Sequence, residues 1–296
     1  MKKLKFFMKS FLAIVTGVIF LSFSACQSGQ KEITKDTEIS ILYPNWAEGI
    51  AFTHLAQAAL LDKGYNVKAT PLEPGPIYAS LAKGDADVMM DAWLPHTHSD
   101  YWDKFGDKLE KIGESFSGGT TGLVVPHYVG IQSITELNDN KELFDGEIIG
   151  IGSGAGIHRN TDKTIEEYDL DFEQITSSGP AMMASLKRAY DKNEPIIITG
   201  WKPHFMWAEY DLKYLDDPED VFPADVCAIV TRKGFTEERP ALGKFFANFN
   251  LEEMELYDLM DAIDKADDPL EAAEKWYQEN KKLVESWMPD EMNTDK

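Results

Sequence analysis

Three of the chain's seven tryptophans follow apolar, strand-like runs. Trp46 comes just after residues 38–43, in Tyr43-Pro44-Asn45-Trp46-Ala47-Glu48. Trp93 follows the run 88–92, in Asp91-Ala92-Trp93-Leu94-Pro95. Trp201 follows the continuous apolar run 195–199 and Gly200. Ligands of open α/β sheets sit outside strand ends, so rings from several such ends can converge on one ligand. One tryptophan in such a place is usually a packing residue. Three at matching ends, from both halves of the chain, point to a cage. Trp102, Trp207, Trp276 and Trp287 lie in helical or irregular stretches and read as packing.

A cage of aromatic faces selects a particular cation. A trimethylammonium group has no N–H to donate, so no acceptor can hydrogen-bond it. The ring quadrupoles attract it instead, at ~0.5–1 kcal/mol per wet face and about 2 kcal/mol or more per dry one. Three dry faces suffice for an affinity near micromolar, about −8 kcal/mol.

A zwitterion also needs an anion site. Gly150-Ile151-Gly152-Ser153-Gly154-Ala155-Gly156-Ile157 leads from a strand into a helix. Its glycines free backbone N–H groups at a helix start, where an anion is favoured. The same stretch holds a weak dinucleotide fingerprint, Gly150-x-Gly152-x-x-Ala155, set aside as too short and unsuited to an exported chain. Ser153 is no nucleophile elbow, because Ile151 occupies the first glycine position. His96 and His98 alternate and, with His204, form a candidate metal set, but spacing places no third ligand. His54, His127 and His158 read as structural or solvent-facing.

The elements that position these residues follow from periodicity. Strands are expected at 38–43, 65–70 and 88–92, with helices at 49–62 and 76–83 between them, each stopped by Gly64 or Gly84. This is βαβαβ, hence a mostly parallel sheet. A second such unit follows: strands at 147–151, 172–176 and 195–199, helices at 161–168 and 181–191. Extended segments 122–129 and 227–231 cross between the units. The fold class is therefore α/β, a two-lobe clamshell hinged at two crossings. Expected boundaries are 38–124 with 230–290 for the first lobe and 125–229 for the second, with 291–296 a tail. Residues 251–287 read as two amphipathic helices, split near Asp267-Asp268-Pro269, that pack back on the first lobe.

The N-terminus sets the compartment. Lys2, Lys3, Lys5 and Lys9 precede an apolar run at 11–23 and then Ser24-Ala25-Cys26. That order is a secretory leader over residues 1–25. The run is short for a span of ~20 residues. The small-small-Cys ending resembles a bacterial lipobox, which makes Cys26 the acylated N-terminus and 26–37 a polar tether. The second cysteine, Cys227, lies in an apolar run and reads as a small buried hydrophobe. Loss of four leader lysines takes the formal net charge from −22 to −26. Such a surface repels nucleic acid and anionic lipid.

The chain resembles the glycine betaine/proline betaine binding proteins of ABC importers, over residues 38–288. The strings that carry the resemblance are Asn45-Trp46-Ala47-Glu48-Gly49, Gly84-Asp85-Ala86-Asp87, Asp91-Ala92-Trp93-Leu94-Pro95-His96-Thr97-His98, Gly154-Ala155-Gly156-Ile157, Gly200-Trp201-Lys202-Pro203-His204 and the stretch 210–218. The chain departs from the family's usual pattern at Gly152-Ser153 and at His158. The resemblance implies a periplasmic-binding-protein clamshell of type II-like form that closes on its ligand. It implies a prism of Trp46, Trp93 and Trp201 around the trimethylammonium. It implies that His98 and the backbone N–H groups of Gly156 and Ile157 hold the carboxylate. Glu48, Tyr128 and His204 are candidate accessory residues. No catalysis, cofactor or metal is expected. The expected partners are a quaternary-ammonium ligand, the importer's permease and the membrane, through lipid on Cys26, with the chain a monomer. A choline receptor of the same fold and a secreted metal-dependent enzyme using His96, His98 and His204 are the alternatives.

Overall fold

A computed structural model of the chain describes residue 35 and residues 37–293. The leader, Cys26, most of the tether and the last three residues lie outside the described residues.

The first half opens as the alternation of apolar runs requires. Strand β1 (Ile39–Tyr43) leads through helix α1 (Ala47–Asp62) to β2 (Val67–Pro71). Helix α2 (Pro74–Lys83) then leads to β3 (Val88–Leu94), whose seven residues are all buried. A short helix α3 (Ser99–Phe105) follows. Strands β1 and β2 pair in parallel, as do β1 and β3. Helix α1 has almost no polar face; residues from Glu48 to Leu60 are nearly all buried. It is covered on the side away from the sheet by the chain's end. Tyr277 donates to Asp62 at 2.8 Å and Lys63 pairs with Glu285 at 2.7 Å.

Strand β4 (Leu109–Pro126) is the longest in the fold and changes partners along its length. From Leu109 to Gly119 it runs antiparallel to β9 (Asp225–Arg232). From Thr120 to Val124 it runs antiparallel to β7 (Ile198–Lys202). Its tip also pairs with β8 (Leu212–Tyr214). The second βαβαβ unit sits on this far end. It comprises β5 (Glu147–Ile149), helix α4 (Gly156–Glu167), β6 (Glu173–Ile175), helix α5 (Gly179–Tyr190) and β7. Here β5 pairs in parallel with both β6 and β7. Two parallel three-stranded cores, β2-β1-β3 and β7-β5-β6, are thus joined through the antiparallel β9 and β4. This is the two-lobe α/β arrangement the sequence predicts.

Residues 109–119 escape a period-two reading for a visible reason. Register shifts at Lys111/Gly113, Glu114/Phe116 and Ser117/Gly119 break the alternation there. The C-terminal stretch 251–287 splits where expected but forms three helices rather than two, because a break at Asn280 sets off a short helix at Lys281–Ser286. Helix α6 (Glu253–Asp264) ends before the Asp267-Asp268-Pro269 split. Helix α7 (Pro269–Glu279) starts on Asp268, whose carboxylate accepts from the N–H groups of Leu270 and Glu271. Proline at the first helical position and an aspartate cap are a strong start signal.

Candidate functional site

The three tryptophans converge. Trp46 is the N-terminal cap residue of α1, Trp93 lies in β3 and Trp201 in β7. They line one tight cavity with Glu48, Thr97 and the start of α4. The Trp46 and Trp201 rings are 6.5 Å apart and tilted by 58°. Trp93 and Trp201 are nearly inaccessible, so their faces are dry. Each is fixed from behind. The Trp201 indole N–H donates to Glu48 Oε2 at 2.9 Å, and His204 meets the Trp201 ring edge-on at 4.8 Å. The Trp93 ring rests on Gly119 of β4, where a Cβ would come within 3.0 Å of it.

The next part of the site lies beside Trp46. The His98 ring is 5.9 Å from the Trp46 ring and completely buried. Its Nδ1 accepts the Trp93 backbone N–H at 3.1 Å and lies 3.3 Å from the Tyr78 hydroxyl. Burial, reinforced by the charge of Arg159, pushes its pKa down to about 3. The ring is therefore neutral at physiological pH. With Nδ1 accepting, its proton sits on Nε2. That N–H is buried and has no partner. The first-turn N–H groups of Gly156 and Ile157 lack intrahelical acceptors by position, and both residues line the cavity. The start of α4 thus borders the same cavity as the aromatic faces, and His98 stands next to the Trp46 ring, beside the cavity and not among its lining residues.

Residues 37–279 match the family model described as the substrate binding domain of ABC-type glycine betaine transport systems. The chain belongs to this family. It is 37% identical over 153 residues to the glycine betaine/carnitine transport binding protein GbuC of Listeria monocytogenes, a match covering 50% of this chain and 51% of that protein. The chain thus aligns with about half the length of that relative. The solved structure of lactococcal OpuAC, closed on glycine betaine, superposes with a TM-score of 0.82 at 33% identity, covering 86% of this chain and all of that one. An ABC-transporter choline-binding protein in complex with choline superposes with a TM-score of 0.79 at 29% identity, covering 84% and 91%. Family members are substrate-binding components of importers.

Some expected residues lie elsewhere. Tyr128 is exposed and donates to the Glu194 carbonyl, outside the cavity. His204 acts behind Trp201, its Nδ1 accepting the Met206 N–H, and lines no part of the cavity. Among the described residues, no cluster of His, Cys, Asp or Glu is arranged to hold a metal ion, so His96, His98 and His204 do not converge.

The sequence reading missed other residues. Thr121 lines the cavity and is the ladder partner of Trp201. Thr97 lines it too, and its carbonyl accepts from Arg159 at 3.2 Å. Arg159 also pairs with Asp100 at 3.0 Å and lies over the Tyr101 ring, while Tyr101 donates to the Gly154 carbonyl at 2.8 Å. These contacts tie the turn after β3 to the start of α4 across the cleft. Asp91 is fully buried two positions before Trp93, on the strand face that period two would have pointed out.

Proposed function

We propose that this chain captures glycine betaine, or a close relative with the same two charged groups, outside the cytoplasmic membrane and delivers it to an ABC importer. Trp46, Trp93 and Trp201 hold the trimethylammonium group by cation–π attraction. His98 Nε2–H and the N–H groups of Gly156 and Ile157 hold the carboxylate. The lobes are hinged where β4 and β9 cross, and closure presents a surface to the permease. No bond of the ligand changes and no cofactor takes part. The observation that best supports the reading is the buried, unpartnered Nε2–H of a neutral His98 beside the aromatic faces. A ligand carboxylate supplies that donor's missing acceptor.

A choline receptor is the second reading, favoured by one observation: Glu48 Oε1 is buried, unpartnered and on a cavity-lining residue. Calorimetry at neutral pH separates the two. Choline leaves the carboxylate donors unpaired at a cost of ~1–3 kcal/mol. Glycine betaine should therefore bind roughly tenfold to a hundredfold tighter. His98→Ala should narrow that gap by weakening betaine far more than choline. Equal affinities, with both ligands insensitive to His98→Ala, would reassign the site to choline.

The chain works as a monomer held at the membrane by lipid on Cys26. The net negative charge repels anionic lipid, and one or two acyl chains supply the attachment. Cys26→Ala should move the protein from the membrane fraction to the soluble fraction. Retention of the variant through high-salt and carbonate washes would mean that the apolar leader stays on as the anchor.

A further inference from the structure

The cage stands on a pair of acids that the proposed function leaves without a task. Glu48 lies in the first turn of α1 and Asp91 in β3. Both are completely buried. One oxygen of Glu48 and both oxygens of Asp91 have no hydrogen-bond partner. Gly49, next to Glu48, approaches Asp91 so closely that a Cβ would lie 2.8 Å from Oδ2.

The surroundings supply dipoles but no positive charge. From β7, the Trp201 indole N–H donates to Glu48. From β3, the Trp93 indole N–H lies near both acids, and from β9 the Cys227 thiol lies near Asp91, neither at hydrogen-bonding geometry. Tyr78 of α2 also feels the Asp91 charge. Asp225 of β9 acts on the Cys227 thiol and spends its carboxylate on the backbone N–H groups of His96 and Thr97. Among the described residues, no lysine or arginine acts on either acid. Burial pushes Asp91 up to about 7. Burial, then Asp91, push Glu48 well above the carboxylate range. The pair therefore keeps at least one proton at neutral pH.

We propose that Glu48 and Asp91 form an adjustable counter-ion for the cage, so that a simple quaternary-ammonium cation binds with release of a proton from the pair and a betaine binds with little or none. The inference rests on the cage reading above and adds to it how charge is balanced. A cation seated against the three rings faces Glu48 in a dry site, where opposite charges attract strongly. It favours the ionised pair, one carboxylic O–H breaks, and the proton passes to solvent. A betaine brings its own carboxylate, which cancels most of the cation's field at Glu48. One cage can then take either charge type, with solution pH setting the balance between them.

The sign follows from linkage. A ligand that releases protons binds more tightly as pH rises, over the range where the free pair is still protonated. Choline affinity should rise about threefold to tenfold per unit between about pH 5.5 and 7.5. Betaine affinity should change less than twofold over the same range. His98 does not confuse the comparison, because its pKa of about 3 leaves it neutral throughout. Isothermal titration of the purified protein with choline chloride and with glycine betaine, in two buffers of different ionisation enthalpy, counts the protons directly. The expected counts approach one for choline and zero for betaine, and Asp91→Asn should lower the choline count. Equal counts, or none for choline, would overturn the proposal even if Asp91→Asn fails to fold, because they are read on the unaltered chain. Binding of neither ligand would overturn the cage reading itself, and this inference with it.

Discussion

Replacing Gly156 with alanine is expected to weaken glycine betaine binding by at least about a hundredfold while leaving the unliganded protein folded. Gly156 opens α4 and faces the turn after β3. A Cβ there would fall inside the Thr97 carbonyl oxygen and lie within 2.7 Å of the carbonyl carbon. These are backbone atoms and cannot swing aside. The Thr97 turn is also held in place, because Asp225 accepts from the His96 N–H at 2.6 Å and from the Thr97 N–H at 2.9 Å. The added methyl must keep the cleft open, so the ligand meets its aromatic faces and its carboxylate donors in only one lobe at a time. An open cleft has room for the methyl, and alanine suits a first helical turn. Melting of the free protein should therefore shift by only a few degrees. Arg159→Ala, which removes the pair with Asp100 but adds no clash, should cost only severalfold, as partly exposed ion pairs do. Calorimetry on both variants checks the ordering. Binding by Gly156→Ala within threefold of the unaltered protein would mean that closure does not bring these two segments together.

That contact marks the boundary of what the sequence could reveal. Trp46, Trp93 and Trp201 were legible because each stands close to the end of an apolar strand, Trp46 just past β1, Trp93 next to last in β3 and Trp201 next to last in β7, and the strand end fixes where the residue stands. Helix α1 was legible from its apolar run, and α7 from its aspartate-proline start. The close approach of Gly156 to Thr97 was not legible, because it joins segments far apart in the chain across a cleft. Glycine in a glycine-rich loop suggests free N–H groups; it does not say which backbone lies opposite. Arg159, just ahead of the helix expected at 161–168, gave no signal of its own; its partners Asp100 and Tyr101 lie far from it in the chain. The first half of β4 was hidden by its bulges, which place charged and apolar residues out of phase. Asp91 was the avoidable miss. It lies on the same strand as Trp93 at a spacing of two, and a buried acid at that spacing marks a site. His204 kept company with Trp201 in the sequence and does so in the fold, but as a buttress behind the ring.

Removing Trp93 should cost binding about thirtyfold, the equivalent of one dry cation–π face at ~2 kcal/mol. Trp102→Ala is the matched control. Trp102 is partly buried against Gly106 and the apolar residues of α2, away from the cavity, so its loss should change affinity less than threefold. Truncating Trp93 leaves a void in the core, where Trp→Ala costs about 3–5 kcal/mol of stability, and truncating the partly buried Trp102 costs less. Affinity, measured beside the melting temperature, separates a ligand-holding ring from a packing one. Trp93→Phe guards against a variant too unstable to measure. It keeps an aromatic face with a weaker quadrupole and should bind severalfold more weakly than the unaltered protein, between the two extremes. The ordering tests the physics of the cage: a packing role predicts that affinity tracks the melting temperature across all three variants, whereas a cation–π role predicts that affinity follows the aromatic face at position 93 and not the melting temperature. Similar, small losses of affinity for both alanine variants would mean that the ring of Trp93 fills space beside the ligand without holding it.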